Sequence, residues 1–202
     1  MSEATHKPLR VPSARLEPEA LSVQDHPGVL NRIASKWRQR GFNIESLAVG
    51  HSEIPGLSRM TFTIDGTTTD VDQVTKQMYK IIEVVKVSDL TEHDMVHREL
   101  ALVKVAATSQ QRSAVIEIVE IFRAKIVDVA PETLIVEVAG TEEKIDALIE
   151  MLKPYGIKEL VRTGRVAITR GSGTPLSVDG KKFEHHRYRP AGEGKAKVGT
   201  LI

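Results

Sequence analysis

The sequence predicts an α+β protein made of two similar units, each an antiparallel sheet with two helices on one face. Two observations lead to this prediction. Segments with the two-residue alternation of strands and segments with the spacing of amphipathic helices follow one another in the order strand, helix, strand, strand, helix, strand. The same order then recurs further along the 202-residue chain. A βαββαβ unit of this kind has the ferredoxin-like arrangement.

The strands of the first unit are predicted from short runs rich in apolar residues. Residues 60–64 show the alternation of apolar and polar side chains that is typical of a half-buried strand. The four predicted strands of this unit cover residues 20–23, 43–49, 60–64 and 83–87.

Two helices connect these strands. The first is predicted to have Pro27 in its first turn, where proline is favoured, and to end at Gly41, which tolerates a left-handed cap. The second covers residues 70–82, with Asp70 as its N-cap. The inward positions of the two helices are Val29, Leu30, Ile33, Ala34 and Trp37 in the first, and Val71, Val74, Met78 and Ile81 in the second.

The second unit repeats this order. Its predicted strands are 100–106, 126–129, 133–138 and 157–161, with an appended strand at 166–168, and its predicted helices are 112–122 and 141–152. Short matches accompany the shared order. Arg40-Gly41 corresponds to Arg123-Ala124 at an offset of 83, and Ile64-Asp65-Gly66 corresponds to Val138-Ala139-Gly140 at an offset of 74. The first unit therefore holds about nine extra residues, which we place around 50–57.

These units divide the chain into four segments. Residues 1–17 lack apolar periodicity and are expected to form a flexible leader. The first domain covers 18–92 and the second covers 97–170. Residues 171–202 hold six basic and three acidic residues but few large apolar ones, so we expect a basic, disordered tail, with docking on an acidic patch of a partner as the alternative. Because units of about 75 residues bury little surface, we also expect pairing of units or of chains.

Composition excludes several classes of function. The 28 basic and 27 acidic residues nearly cancel, so there is no electrostatic reason to expect a nucleic-acid or membrane partner. The absence of cysteine removes disulfides, thiolate metal sites and cysteine nucleophiles, and it fits a cytoplasmic location. No apolar run approaches the roughly 20 residues of a membrane span. Since no catalytic triad or carboxylate pair stands out, we expect no catalytic site and no metal site in this chain.

The segment from Asp25 to Leu30 carries the clearest chemical pattern. Free backbone N–H groups and the helix dipole favour an anion at the start of a helix, and Gly28 has no Cβ to keep a ligand from the main chain. The N–H groups of Gly28, Val29 and Leu30 are therefore candidates for binding a small carboxylate. If that ligand is an amino acid, Asp25 and Asn43 are candidates for its other polar groups.

A purely structural role for the same residues is the alternative. Asp25 would then cap the helix, and Gly28 would only ease a tight turn. The second unit favours the binding role, because a turn needed for folding should occur in both units. The positions equivalent to Asp25, Pro27 and Gly28 are Thr108, Gln110 and Gln111.

Several longer motifs continue from this segment through both units. They are Asp25-x-Pro27-Gly28-Val29-Leu30, Arg40-Gly41-Phe42-Asn43-Ile44-Glu45-Ser46-Leu47, and the segments 55–61, 73–87, 98–105, 121–125 and 154–159. Together they resemble the regulatory (small) subunit of acetolactate synthase, also called acetohydroxyacid synthase, with its N-terminal ACT domain. The resemblance covers residues from about 21 to 170, so the leader and the tail lie outside it.

The resemblance implies a non-catalytic protein with an ACT domain and a C-terminal ACT-like domain. A subunit of this family binds and activates a catalytic large subunit that carries thiamine diphosphate, magnesium and FAD, while binding no cofactor itself. It also confers feedback inhibition, typically by valine, on the synthesis of valine, leucine and isoleucine. ACT domains of this family pair in a homodimer, and the amino-acid effector lies at their interface.

The resemblance also implies which residues bind the effector. The main-chain N–H groups of residues 28–30 would bind the carboxylate of the effector. Asp25 and Asn43 would contact the other polar groups of the effector, with Asn43 reaching across the dimer. Two residues of the second strand would line the pocket. Some members have Asn in place of Asp25. The full set is Asp25, Gly28, Val29, Leu30, Asn43, Ala48 and Gly50.

Other functions fit the sequence less well. A free-standing ACT sensor that controls transcription or another enzyme is the main alternative, but it has no need of the motifs at 98–104 and 121–125. Arg40-Gly41-Phe42 matches part of an RNA-binding signature, yet the aromatic residues that should follow are absent. His93 and His97 have the spacing of metal ligands on a helix, but we place them in the solvated linker between the units.

Overall fold

The structure, a computed structural model, describes residues 16–66, 69–91 and 93–171. The first unit consists of β1 (Leu16–Gln24), α1 (Val29–Arg40), β2 (Ser46–His51), β3 (Leu57–Asp65), α2 (Val71–Met78) and β4 (Val84–Asp89). The second unit consists of β5 (Met95–Ala106), α3 (Arg112–Ile121), β6 (Lys125–Val129), β7 (Thr133–Gly140), α4 (Glu142–Leu152) and β8 (Ile157–Arg162). A 3₁₀ turn, Lys153–Tyr155, precedes β8, and a short strand β9 (Val166–Thr169) follows it.

The two sheets have the same topology. The strand order is β2-β3-β1-β4 in the first unit and β6-β7-β5-β8 in the second, and every neighbouring pair is antiparallel. This is the strand order of a ferredoxin-like βαββαβ unit. The predicted α+β fold with two such units is therefore confirmed.

Each unit has its own apolar core between the sheet and its helices. In the first unit Trp37 of α1 stacks on Phe62 of β3 with a ring-centroid distance of 4.8 Å, and its Nε1–H donates to the Met78 sulfur at 3.1 Å. In the second unit alternate residues of β5 and β7, such as Val103 and Val136, pack against α3 and α4. The two main core clusters share no residue.

Several boundaries differ from the prediction. Helix α2 ends at Met78 instead of 82, because the next turn is made by i to i−3 hydrogen bonds such as that from the Ile81 N–H to the Met78 carbonyl. The second strand begins at Ser46, not at 43. His97 belongs to β5 and not to a linker, since it pairs with Ala167 of β9.

The predicted leader and tail lie outside the described residues, except at their inner ends. Strand β1 already begins at Leu16, before the expected domain boundary at 18, because its backbone pairs with the end of β3 at Asp65.

Two residues of the predicted inward face of α1 point elsewhere. Val29, Ile33 and Trp37 are buried at i, i+4 and i+8, whereas Leu30 is 44% exposed and Ala34 is also exposed. Each of the two follows a buried residue by one position, which turns its side chain by about 100° around the helix axis. Both side chains are thus directed away from the core.

A ribbon of two strands from the second unit covers the face of the first sheet that carries no helices. We define the ribbon as residues Met95–Arg98 of β5, which pair with Val166–Thr169 of β9. Ala167 of the ribbon, Ala20 of β1 and Leu90 form a small buried cluster between the units. Arg59 of β3 also donates to the carbonyl of Ala167 at 2.8 Å. The two units therefore pack on each other through the ribbon.

Candidate functional site

The residues of the candidate site lie at the end of the first sheet where strands β1 and β2 terminate. Because both strands are antiparallel to β3, they run parallel to each other and their carboxyl ends lie at one edge. Asp25 follows β1 there, and His51 is the last residue of β2. The Asp25 Oδ2 lies 3.2 Å from the Nδ1 of His51. Helix α1 begins four residues after Asp25.

The start of α1 has a glycine as its N-cap. Gly28 adopts a left-handed backbone with φ 92°, and no side chain caps the helix. Asp25 is instead anchored by its own backbone N–H, which donates to the Gly56 carbonyl at 2.9 Å. The alternative in which Asp25 caps the helix is therefore wrong. A Cβ placed on Gly28 would meet no atom within 4 Å, so the space beside it is open to a ligand.

The backbone donors of this turn are not equivalent. The Val29 N–H points to the carbonyl of His26 at a long 3.5 Å. Within the part of the chain that the structure describes, the N–H groups of Gly28 and Leu30 have no hydrogen-bond acceptor. The first turn thus offers two free donors and one weakly engaged donor at the positive end of a helix, an arrangement that suits a carboxylate.

His51 is a residue of this site that was not predicted from the sequence. Its imidazole is 88% exposed, and it contacts the half-exposed carboxylate of Asp25. The sequence places His51 at the end of the strand that contains Ala48 and Gly50, so it could have been included as a candidate. It was not, because only the order of strands in the sheet shows that this strand ends beside the end of β1.

Asn43 lies at the opposite end of the unit. It follows the last turn of α1, whose 12 residues span about 18 Å, and it precedes β2. Its side-chain amide donates to the Glu45 carboxylate. Within one chain the structure does not bring Asn43 to the start of the helix where Gly28 lies.

Ala48 and Gly50 lie on β2, which is an edge strand of the first sheet. They pair with Thr61 and Arg59 of β3 and share the sheet face that lacks helices. Leu47, on the opposite face, packs against the helix-side core. The main chain of β2 therefore comes close to the candidate site at His51. The side chain of Ala48, however, points to the face of the sheet that lacks helices, away from α1.

A polar cleft of about 410 Å³ lies between the two units. Arg162 hydrogen-bonds to the buried carboxylate of Glu99, which raises the pKa of the guanidinium, and Arg165 pairs with Glu142. Burial lowers the pKa of Arg165. Ser46 of β2 lines the same cleft from the first unit. Since its charged groups already have partners, this cleft is better described as an interface between the units than as a ligand site.

The described residues offer no alternative centre of the usual kinds. Across 16–66, 69–91 and 93–171, no three His, Asp or Glu side chains are grouped so that they could hold a metal ion. None of the helices in these ranges is both long and apolar enough to cross a membrane.

Comparison with known protein families gives two matches that follow the two units. The family described as "AHAS small subunit-like ACT domain" matches residues 20–86. The family described as "Small subunit of acetolactate synthase" matches residues 98–171.

Individual relatives extend this similarity over both units. The acetolactate synthase small subunit of Bacillus subtilis is 49% identical over 154 residues, which is 75% of this chain and 89% of the relative. That of Mycobacterium bovis is 48% identical over 149 residues, covering 74% and 89%. Among solved structures, the acetolactate synthase small subunit of Thermotoga maritima matches with a TM-score of 0.72 and 40% identity, covering 78% of this chain and 99% of that one.

Proposed function

The chain belongs to the family of acetolactate synthase small subunits, and on that premise we propose that it regulates a catalytic large subunit without catalysing a reaction itself. It activates that subunit and makes it sensitive to feedback inhibition by a branched-chain amino acid, for which valine is the leading candidate. The observation that carries this proposal is the open, glycine-capped start of α1 with its free N–H groups.

The effector carboxylate binds the N–H groups of Gly28 and Leu30, with a smaller contribution from Val29. Its ammonium group approaches Asp25, whose carboxylate it shares with His51. Charge-assisted hydrogen bonds of this kind each contribute about 1.5 to 3 kcal/mol. The exposed side chain of Leu30 is available to contact the apolar side chain of the effector.

The proposed site is completed by a second copy of the chain. Asn43 and Gly28 lie at opposite ends of one unit, and β2 presents an unpaired edge next to both. Antiparallel pairing of two β2 edges would bring Asn43 of one copy beside Gly28 of the other. A homodimer through the first units is therefore part of the proposal, with the effector at the interface.

The chemistry of the complex belongs to the catalytic partner. We assign thiamine diphosphate, magnesium and FAD to the large subunit and no cofactor to this chain, and we place the complex in the cytoplasm. The family match at 98–171 favours this assembly over a free-standing sensor, because it lies in the second unit, outside the candidate effector site.

Reconstitution with a catalytic large subunit tests the proposal. Acetolactate formation is measured with the large subunit alone and with this chain added, in the presence and absence of valine, leucine or isoleucine. The expected result is stimulation by the chain and inhibition by at least one of the three amino acids. If the chain neither stimulates the reaction nor makes it respond to any of them, the proposal is wrong.

Replacing Asn43 by alanine should weaken effector binding more than it weakens assembly. The variant loses one side-chain donor and acceptor at the proposed interface, which corresponds to about 1 kcal/mol or a fivefold loss of affinity. Titration calorimetry measures the effector, and sedimentation measures the dimer. Gln39→Ala, on the same helix end but outside the site, is the control. Unchanged inhibition in Asn43→Ala would remove this residue from the site.

Replacing His51 by alanine should strengthen effector binding. The His51 imidazole lies against the Asp25 carboxylate, to which we assign the effector ammonium, so removing the imidazole leaves the carboxylate to the effector. For an exposed pair the expected gain is up to about fivefold in affinity, measured by titration calorimetry. His26→Ala should leave the affinity unchanged, because His26 contacts the Pro27 carbonyl instead. Equal affinities of the wild type and His51→Ala would contradict the assignment of Asp25 to the ammonium.

A further inference from the structure

The turn that joins β8 to β9 lies directly against the first residue of β2. A Cβ on Gly164, whose φ is +78°, would lie 2.8 Å from the Cβ of Ser46, so no larger residue fits without a shift. The Ser46 hydroxyl accepts the N–H of Arg165 at 3.3 Å and donates to the Thr63 hydroxyl at 2.9 Å. One serine thus joins a turn of the second unit to two strands of the first.

This turn is held firmly by the second unit. Arg162, just before it, makes two hydrogen bonds to the Glu99 carboxylate at 2.8 and 2.7 Å, and Glu99 is only 6% exposed. The Thr163 N–H donates to the Leu100 carbonyl at 3.0 Å, and Arg165 pairs with Glu142 of α4. The turn therefore moves with the second sheet and its helix.

Strand β2 connects this contact to the candidate effector site. Its first residue is Ser46 and its last residue is His51, which lies against Asp25. Within the described part of one chain β2 pairs only with β3, so the position of its other edge is set by the proposed pairing with the second copy, beside which the effector lies. A displacement of β2 caused by a bound effector would reach the turn through Ser46.

We propose that Ser46 and Gly164 are positioning residues for feedback, and that their contact transmits effector binding at the first unit to the second unit. This inference rests on the proposed function. It requires neither residue to touch the effector. Ser46 alternates with Leu47, which packs on the helix side of the sheet, so the Ser46 side chain and Gly164 lie on the opposite face from the start of α1. Tight packing at Gly164 makes the contact sensitive to small shifts, because neither backbone has free space there.

Gly164→Ala is the variant that tests this inference in the reconstituted complex. Its Cβ forces the turn away from Ser46. The isolated variant should bind the effector with an affinity within about twofold of the wild type, and it should still stimulate the catalytic subunit. Inhibition of the complex by saturating effector should be at least fivefold weaker than in the wild type. A factor of about five is the lower end of ordinary allosteric coupling. Gly171→Ala is the matched control, because Gly171 has a similar φ of +71° and nothing within 4 Å. It should keep full inhibition.

Two further variants separate transmission from a general loss of structure. Ser46→Gly combined with Gly164→Ala removes the clashing Cβ and should restore part of the inhibition. Ser46→Ala adds no atom but loses both hydroxyl hydrogen bonds, so it should weaken inhibition while effector binding persists; it decides the question if Gly164→Ala does not fold. The inference is overturned if the folded variants are inhibited like the wild type. A wild-type complex with no stimulation and no inhibition would instead overturn the proposed function.

Discussion

We expect Gly28→Asp to abolish inhibition of the reconstituted enzyme by the branched-chain amino acid and to leave stimulation of the catalytic subunit intact. An aspartate at this position fills the open space beside the first turn, and its carboxylate competes for the N–H groups that the effector carboxylate needs. The left-handed backbone at φ 92° strains any residue other than glycine, so the variant also loses some stability. The loss of two charge-assisted hydrogen bonds lowers effector affinity by more than about 100-fold. Inhibition curves and titration calorimetry on the same preparations measure this loss.

Gly41→Asp is the matched control for this experiment. Gly41 ends the same helix with a φ of +69°, and a Cβ there also meets nothing within 4 Å. A carboxylate at the C-terminal end of a helix opposes the helix dipole, so this variant should lose at least as much stability as Gly28→Asp. It should nevertheless keep its inhibition to within the roughly fivefold change expected of Asn43→Ala, because Asn43 lies two residues further along the chain. Loss of inhibition in both variants would mean that feedback depends on the integrity of α1, not on a carboxylate site at its start.

Trp37→Ala should unfold the first unit while the second unit stays folded. The Trp37 side chain is almost fully buried, stacks on Phe62 and meets the edge of Phe42 at a centroid distance of 5.9 Å. Removing so large a buried aromatic costs about 3 to 5 kcal/mol, which is comparable with the whole stability of a small domain. Because the main cores of the two units share no residue, the second unit keeps its own packing.

Urea denaturation followed by circular dichroism measures this effect. The expected result for Trp37→Ala is a loss of helical signal without denaturant that corresponds to α1 and α2, followed by one transition from the second unit. Trp37→Phe keeps an aromatic ring against Phe62 and should retain both units and the inhibition. A single unfolding transition with the wild-type amplitude in Trp37→Ala would show that the ribbon makes the two units one cooperative structure.

Much of the fold was predictable from local patterns. Alternation in 60–64 placed β3, and the spacing of Val29, Ile33 and Trp37 placed the buried face of α1. Gly41 ended the helix in the left-handed conformation that was expected of it. These features depend on residues within about two turns of one another, so a linear sequence contains the information that determines them.

The candidate site was predictable only at the start of α1. The pattern around Gly28 indicated a helix N-terminus open to a ligand, and the structure shows that geometry. The contact of His51 with Asp25 was not predicted, because it joins the ends of two strands that are separated by β3. Leu30 was predicted to lie in the core because it is apolar and adjacent to Val29. Its apolar character alone does not show that its side chain lies outside the buried face of the helix.

The sequence by itself thus determined the class of the fold, the repeat of two units and the chemistry of one helix start. Only the tertiary structure decided that the ribbon covers the first sheet, that Gly164 lies against Ser46, and that Asn43 is remote from Gly28 within one chain. The physical reason is how far apart along the chain the interacting residues lie. Periodicity and capping follow from neighbours along the chain, whereas strand order and the packing of one unit on another depend on which surfaces remain to be buried after each unit has formed.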